Sequence, residues 1–301
     1  MREIAGSALL GSATEVLGCE VERIARCMGG DLNQAWKLNL ADGREVFFKS
    51  RAGAPWEEYE LEAAGLRWIR NADALKVPEV LGVITAPQPG LLLEWIEPGG
   101  RLSAGGEEAF GRGLARIHRM EAGHFGELPE GSPDWDLHVG PVNLGRCADE
   151  DPEHGFGPCY ALRLDGLVRQ ALDRAAIDSQ QAEVIISLCE RMDDFAGPAE
   201  PPARTHGDLW SGNLLVDDGG NPCLIDPAAH GAHRELDLAM LSLFGAPSDR
   251  FLASYKEEFP LEPDYRNRVD LWQIQPLLIH AILFGGTYGA AATRAAGNYV
   301  R

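Results

Sequence analysis

Short strands separated by turn residues, one amphipathic helix among them, and a later series of helical stripes predict an α+β fold with two lobes. The smaller lobe, residues 1–96, is expected to be an antiparallel sheet plus a helix, and the larger, residues 97–301, to be mainly helical. The first observation behind this is the run of strand-like segments from Val21 to Ile96, punctuated by Asp42-Gly43 and Gln88-Pro89-Gly90. The second is the break at Glu97-Pro98-Gly99-Gly100, which ends the strand pattern and reads as a linker. The third is the helical spacing of Phe110, Leu114 and Ile117, and later of Leu271, Ile274, Leu278 and Ile282.

Residues 1 to about 20 read as a helix with Leu9, Leu10, Val16 and Leu17 on its apolar side. A strand from Val21 to Met28 then enters Gly29-Gly30-Asp31-Leu32-Asn33. Glycines between strands let the backbone approach a ligand closely, so Gly29 and Gly30 are candidate ligand-covering residues, although no G-x-G-x-x-G pattern is present. Trp36 to Leu40 and Val46 to Lys49 form a hairpin that ends in a lysine. A lysine closing an apolar strand must reach water or find a partner. The next helix, roughly Trp56 to Arg70, places Glu62, Leu66 and Ile69 on one face. A glutamate on an apolar stripe needs a cation, and Lys49 is the nearest candidate. Glu58, one turn earlier, is the second choice.

Val77 to Val83 and Leu91 to Ile96 continue the strands. Ser103 is placed to cap a helix carrying Glu107 and Glu108 near its start, and His118 near its end reads as structural. Residues 127–158 are rich in Gly, Pro and Asp. Val184 to Met192 reads as another helix, and Pro198 to Pro202 leads into the stretch around which the chain is organised.

That stretch is His206-Gly207-Asp208-Leu209-Trp210-Ser211-Gly212-Asn213, followed by Asp226 within Ile225-Asp226-Pro227. Leu214 to Val216 and Cys223 to Ile225 flank Gly219-Gly220 and read as a β-hairpin. With Val216 opposite Cys223 and Leu214 opposite Ile225, Asn213 is expected opposite Asp226, close enough for both to hold one ion. Both carry hard oxygens of the kind Mg²⁺ takes together with water and phosphate. An Asp, an Asn five residues later, and an Asp beyond a short hairpin is the phosphoryl-transfer layout of kinases. A helix beginning at His233 to Asp237 would let Asp237 bond backbone amides of the preceding loop.

The octapeptide HGDLWSGN at His206–Asn213 and the run IDPAAHGAHRELDLAM at Ile225–Met240 resemble the fructosamine kinase (ketosamine-3-kinase) family, small-molecule relatives of protein kinases. Aminoglycoside and choline kinases share only the looser H-x-D-x-x-x-x-N pattern. Phe47–Ser50, Glu62–Trp68, His118 with Phe125-Gly126, and Leu283–Tyr288 are also similar to that family. The resemblance spans most of the chain and is thinnest at residues 127–200. There Tyr160–Leu164 is similar to an aromatic-to-arginine run, one residue short and without its preceding Trp.

The resemblance implies a protein-kinase-like fold and transfer of the γ-phosphate of ATP to the 3-hydroxyl of a ketosamine, a glycated amine. Asp208 would accept the hydroxyl proton, Asn213 and Asp226 would hold Mg²⁺, and Lys49, fixed by Glu62, would hold phosphates. Gly29 and Gly30 would cover the nucleotide, and the Glu94 carbonyl and Ile96 amide would read adenine. Trp210 would stack on the sugar, with His280 near it. Two competitors are an aminoglycoside- or choline-type phosphotransferase and a nucleotide-binding protein without catalysis. The joint presence of Lys49, Asp208, Asn213 and Asp226 argues against the second.

Composition sets outer bounds. Hydrophobic content of 45% and charged content of 24% are those of a globular protein. A net charge of −19 disfavours nucleic-acid or anionic-membrane partners, which need a basic face. The six cysteines include no C-x-x-C pair, against a zinc site or a dense disulfide framework. With no apparent signal peptide and no apolar window of about 20 residues, a cytoplasmic protein is expected.

Overall fold

The computed structural model describes residues 2–27, 32–147, 155–245 and 247–300, with side chains from residue 10 onward. Gly29 and Gly30, expected over the ligand, lie outside the described residues. The chain opens with α1 (Arg2–Leu17), then β1 (Val21–Arg26), β2 (Gln34–Leu40) and β3 (Glu45–Ser50). After these come α2 (Trp56–Arg70), β4 (Val80–Ile84) and β5 (Gly90–Glu94). The five strands make one antiparallel sheet in the order β1-β2-β3-β5-β4. Strand alternation gives it two buried faces. Leu38, Val46, Phe48 and Leu92 pack on one side with Ala13 of α1, whereas Leu91 and Leu93 pack on the other with Tyr59, Leu66 and Ile69 of α2. On α1 it is Ala13 that is buried, while Val16, expected on the apolar side, is 40% exposed.

Helices dominate the remainder of the chain. Ser103 caps α3 (Ala104–Arg119) as expected, its hydroxyl accepting from the Gly106 amide at 2.9 Å. A hairpin of β6 (Leu137–Val139) and β7 (Val142–Gly145) interrupts the stretch that composition marks as loop. Cys147, just beyond it, is disulfide-bonded to Cys159 in α4 (Gly157–Asp173). The helix expected at Val184–Met192 is α5 (Ser179–Cys189). It starts earlier because Asp178 and Gln181 form a reciprocal capping box, each side chain accepting the other's backbone N–H at 2.9 Å.

Three short strands surround the key motif: β8 (Ala203–Thr205), β9 (Leu214–Val216) and β10 (Pro222–Leu224). They are followed by β11 (His230–Ala232), α6 (Glu235–Leu243), α7 (Asp249–Glu258), α8 (Val269–Phe284) and α9 (Tyr288–Gly297). The stripe Leu271, Ile274, Leu278 and Ile282 of α8 is buried in the largest core cluster, around Trp272, Tyr160 and Phe156. Sheet and helical part are stitched together at the β9–β10 hairpin. Gly99 donates to the Val216 carbonyl at 2.6 Å and Leu224 to the Lys76 carbonyl at 2.9 Å. No described helix is long and apolar enough to cross a membrane.

Candidate active site

The loop between β8 and β9 is held from below. Asp237, in the first turn of α6, accepts from the His206 amide at 2.7 Å and the Gly207 amide at 2.9 Å, as its position suggested. His118 donates to the same carboxylate at 3.1 Å while Tyr255 donates to the other ring nitrogen at 2.7 Å. Burial pushes the Asp237 carboxyl up, but His118 and the backbone amides outweigh it and hold it below its ordinary value. His206 donates from Nε2 to the Ile225 carbonyl at 2.9 Å, pinning this loop to the strand that leads to Asp226. Gly207 has φ +80°, and a Cβ there would sit 2.0 Å from the Ala228 carbonyl oxygen, so only glycine fits.

Asp208 follows on this fixed backbone. Asn213, buried at the end of a 3-10 turn, donates from Nδ2 to the Asp208 carbonyl at 2.8 Å and to its carboxylate at 3.0 Å. The Asp208 carboxyl is pushed up to about 7, chiefly by burial and then by the charges of Asp226 and Asp237, against the Asn213 bond and Lys49. A carboxylate poised there suits a general base at neutral pH.

The hairpin register differs by one from expectation. Val216 pairs with Pro222, Cys223 with Leu215 and Leu224 with Leu214, so Asn213 lies opposite Ile225 rather than Asp226. The connection closes over five residues because Asp217 and Asn221 bond each other, the Asn221 amide donating to Asp217 Oδ1 at 2.8 Å. Asp226 is then one step beyond the ladder and turns with φ +54°, a left-handed conformation open to few residues besides glycine, Asn and Asp.

Lys49 joins the two parts of the molecule. Its Nζ lies 2.5 Å from Glu62 Oε2 on α2 and 2.9 Å from Asp226 Oδ1. Glu58, the second-choice partner, is taken by Arg51 at 2.6 Å. Burial alone would lower the Lys49 pKa, but the two carboxylates raise it above its ordinary value. One ammonium cannot neutralise both, and burial and then the nearby Asp226 push Glu62 up to about 7 despite Lys49. Helix α2 approaches this closely because residue 65 is glycine: a Cβ there would lie 3.1 Å from Ala229 Cβ.

On the far side of Asp208 a small cavity is lined by Gly207, Asp208, Met240, Gln275, Ile279 and His280. The His280 ring lies 5.2 Å from Phe244 and 5.1 Å from Tyr288, and Phe244 stands edge-on to Trp210 at 5.5 Å. Trp210 and His280 therefore belong to one aromatic rim beside Asp208. Met240 and Gln275 were not singled out from sequence, because only the packing of α6 on α8 brings them to this cavity, and Phe244 joins the rim through its ring contacts with Trp210 and His280. Glu94 ends β5 with Ile96 buried just beyond it, at the exit from the sheet.

The donor set fits a divalent, oxygen-liking cation. Asp226 keeps its carboxylate 43% exposed, Asn213 spends its amide hydrogens on Asp208 and leaves its amide oxygen for a ligand, and the site carries more carboxylates than ammonium groups. No described cluster of three or more His, Cys, Asp or Glu could hold a metal alone. Such an ion would therefore share its shell between these two side chains, phosphate and water.

The fructosamine kinase family model matches residues 10–301. A protein of Enterococcus faecium named "probable ketoamine kinase" is 30% identical over 280 residues, covering 92% of this chain and 95% of that one. The chloroplastic protein-ribulosamine 3-kinase of Oryza sativa subsp. japonica is 28% identical, covering 97% of this chain and 81% of its own. A crystal structure from Thermobifida fusca, assigned as a fructosamine-3-kinase, superposes with a TM-score of 0.83 at 35% identity, covering 96% and 98%. Aminoglycoside phosphotransferase APH(4)-Ia, at 16% identity and a TM-score of 0.60 over 98% of both chains, shares the kinase-like fold. With a match that runs through both the sheet and the helical part and includes every residue gathered around Asp208, the chain belongs to the fructosamine kinase family.

Proposed function

We propose that the protein transfers the γ-phosphate of ATP to the 3-hydroxyl of a ketosamine, with residues 1–96 holding the nucleotide and residues 97–301 the acceptor. The observation that supports this reading is the Lys49 bridge, which joins Glu62 of α2 to Asp226 just beyond the hairpin that follows Asp208 and Asn213. Lys49, oriented by Glu62, leaves Asp226 to bind α- and β-phosphates when the nucleotide enters. The backbone of Glu94 and Ile96 meets its base. Asn213 and Asp226 supply oxygen ligands for Mg²⁺, which when bound offsets phosphate charge.

Asp208 takes the proton of the sugar hydroxyl as that oxygen bonds to the γ-phosphorus. The bond from phosphorus to the β-phosphate oxygen breaks, and ADP leaves with the electron pair. Asn213, bonded to the Asp208 carboxylate, aims its basic oxygen at the acceptor. Trp210 and His280 offer the faces on which a sugar ring stacks. The family names carried by the relatives favour ketosamines over aminoglycosides or choline.

The test is Mg²⁺-dependent ADP release with a synthetic fructosamine, a ribulosamine, an aminoglycoside and choline in parallel. Turnover confined to the ketosamines is expected. Turnover of choline or the aminoglycoside instead would replace the substrate assignment. ATP binding without turnover of any acceptor would support a non-catalytic nucleotide-binding role.

A further inference from the structure

Gln275 is 2% exposed, yet its Oε1 has no hydrogen-bond partner among the described residues. It lines the cavity that also touches Asp208 and His280. Its backbone is fixed in an unusual way. The Tyr160 hydroxyl accepts from the Gln275 amide at 3.1 Å and donates to the Leu271 carbonyl at 2.8 Å, inserting between a donor and an acceptor one helical turn apart. Pro276 comes next and has no N–H to give the ladder. Helix α8 is thus opened at Gln275 and held there by a buried tyrosine. A buried, unpaired amide oxygen is costly in the free protein, and burying such groups without partners is rare. A hydrogen-bond donor brought into the cavity would complete it.

We propose that Gln275 is a specificity-determining residue that reads the sugar hydroxyl on C4, next to the one that is phosphorylated. This rests on the ketosamine reading above. Asp208 and Gln275 line one small cavity, so the two hydroxyls they meet must be close on the sugar, as vicinal groups are. The C2 side of the attacked carbon leads to the amine substituent, which must pass out over the open rim where Phe244 and Phe284 are exposed. The enclosed side is left for C4. A hydroxyl, both donor and acceptor, satisfies a glutamine amide whichever way it is turned.

The experiment compares a simple fructosamine with its 4-deoxy and 6-deoxy analogues, using wild type, Gln275→Leu and Gln275→Met. Removing a hydroxyl that a buried polar group reads is expected to cost wild type roughly 10- to 100-fold in kcat/KM on the 4-deoxy analogue. The 6-deoxy analogue should be turned over within about threefold of the parent. Gln275→Leu should lose a similar factor on the parent, no longer distinguish it from the 4-deoxy analogue, and keep the KM for ATP and the melting temperature. Gln275→Met, with a flexible apolar chain of similar length, should behave likewise if the leucine variant folds poorly. A variant that still discriminates against the 4-deoxy analogue as wild type does, or a wild type indifferent to the 4-hydroxyl, would overturn the inference alone. A wild type that phosphorylates no ketosamine would overturn it together with the proposed function.

Discussion

The Glu62 carboxylate meets the Lys49 ammonium at 2.5 Å with only 13% and 5% of the two side chains exposed. At that burial the partner is needed to keep the lysine aimed into the cleft. Replacing Glu62 with Gln keeps the volume and removes the charge, leaving Lys49 to Asp226 alone. If Lys49 binds phosphate as proposed, misaiming it costs about 10²-fold. The expected result is a loss of that order in kcat/KM for ATP, measured by steady-state kinetics at saturating acceptor.

Replacing Asp208 with Asn keeps the Asn213 contact on the remaining oxygen but removes the proposed base. Turnover should fall by about 10²- to 10⁴-fold, the usual worth of a positioned general base. Nucleotide affinity, followed by titration, should stay near wild type. Retained turnover would refute the assignment.

A carboxyl pushed up to about 7 implies two opposite pH responses. With Asp208 as the proposed base the deprotonated form is the active one, so kcat/KM for the acceptor should rise with pH and level off once Asp208 has lost its proton. Stability runs the other way. The folded state binds this proton more tightly than the unfolded chain, so the contribution is full below the ordinary carboxyl pKa and is lost as pH rises through 7. Melting curves without nucleotide or metal should show Asp208→Asn gaining on wild type from pH 5 to pH 8.

Asp237 gives the reverse sign. Its carboxyl lies below the ordinary value, so its contribution is present above the unfolded pKa and is lost as pH falls through the folded one. Asp237→Ala would strand the His206 and Gly207 amides and His118, a loss of roughly 3–5 kcal/mol for breaking a buried charged network. Chemical denaturation should show this, together with a lower kcat from a loosened loop.

On the acceptor side, Trp210→Ala should raise the acceptor KM about tenfold, the worth of an aromatic face at roughly 1–2 kcal/mol, and leave the KM for ATP unchanged. Equal changes in both constants would place Trp210 in the scaffold instead.

Much of this site was legible because it is written locally. Lys49 closes a strand, Glu62 sits on an apolar stripe, and Asp208, Asn213 and Asp226 fall within one loop and hairpin. The register was misread by one residue, since an alternating pattern does not reveal that Asp217 and Asn221 close the turn early, or that Asp226 leaves the ladder with φ +54°. Gly65 was silent, as its need for no side chain arises from Ala229, more than 150 residues away. Gln275 and Met240 were silent for the same reason: a cavity wall assembled from two helices has no signature in either. The β6–β7 hairpin was hidden by its short strands and by a Gly-, Pro- and Asp-rich setting.

The β9–β10 hairpin is bonded to the chain where it leaves the sheet, through Gly99 and Val216, and where it approaches β4, through Lys76 and Leu224. Helix α2, which carries Glu62, packs in the same core as Leu224 and Ala229 on either side of Asp226. Lys49, Glu62 and Asp226 are therefore set by one continuous body of packing rather than by the ion pairs alone, and loosening either tie of the hairpin would show first as a longer Lys49–Asp226 contact.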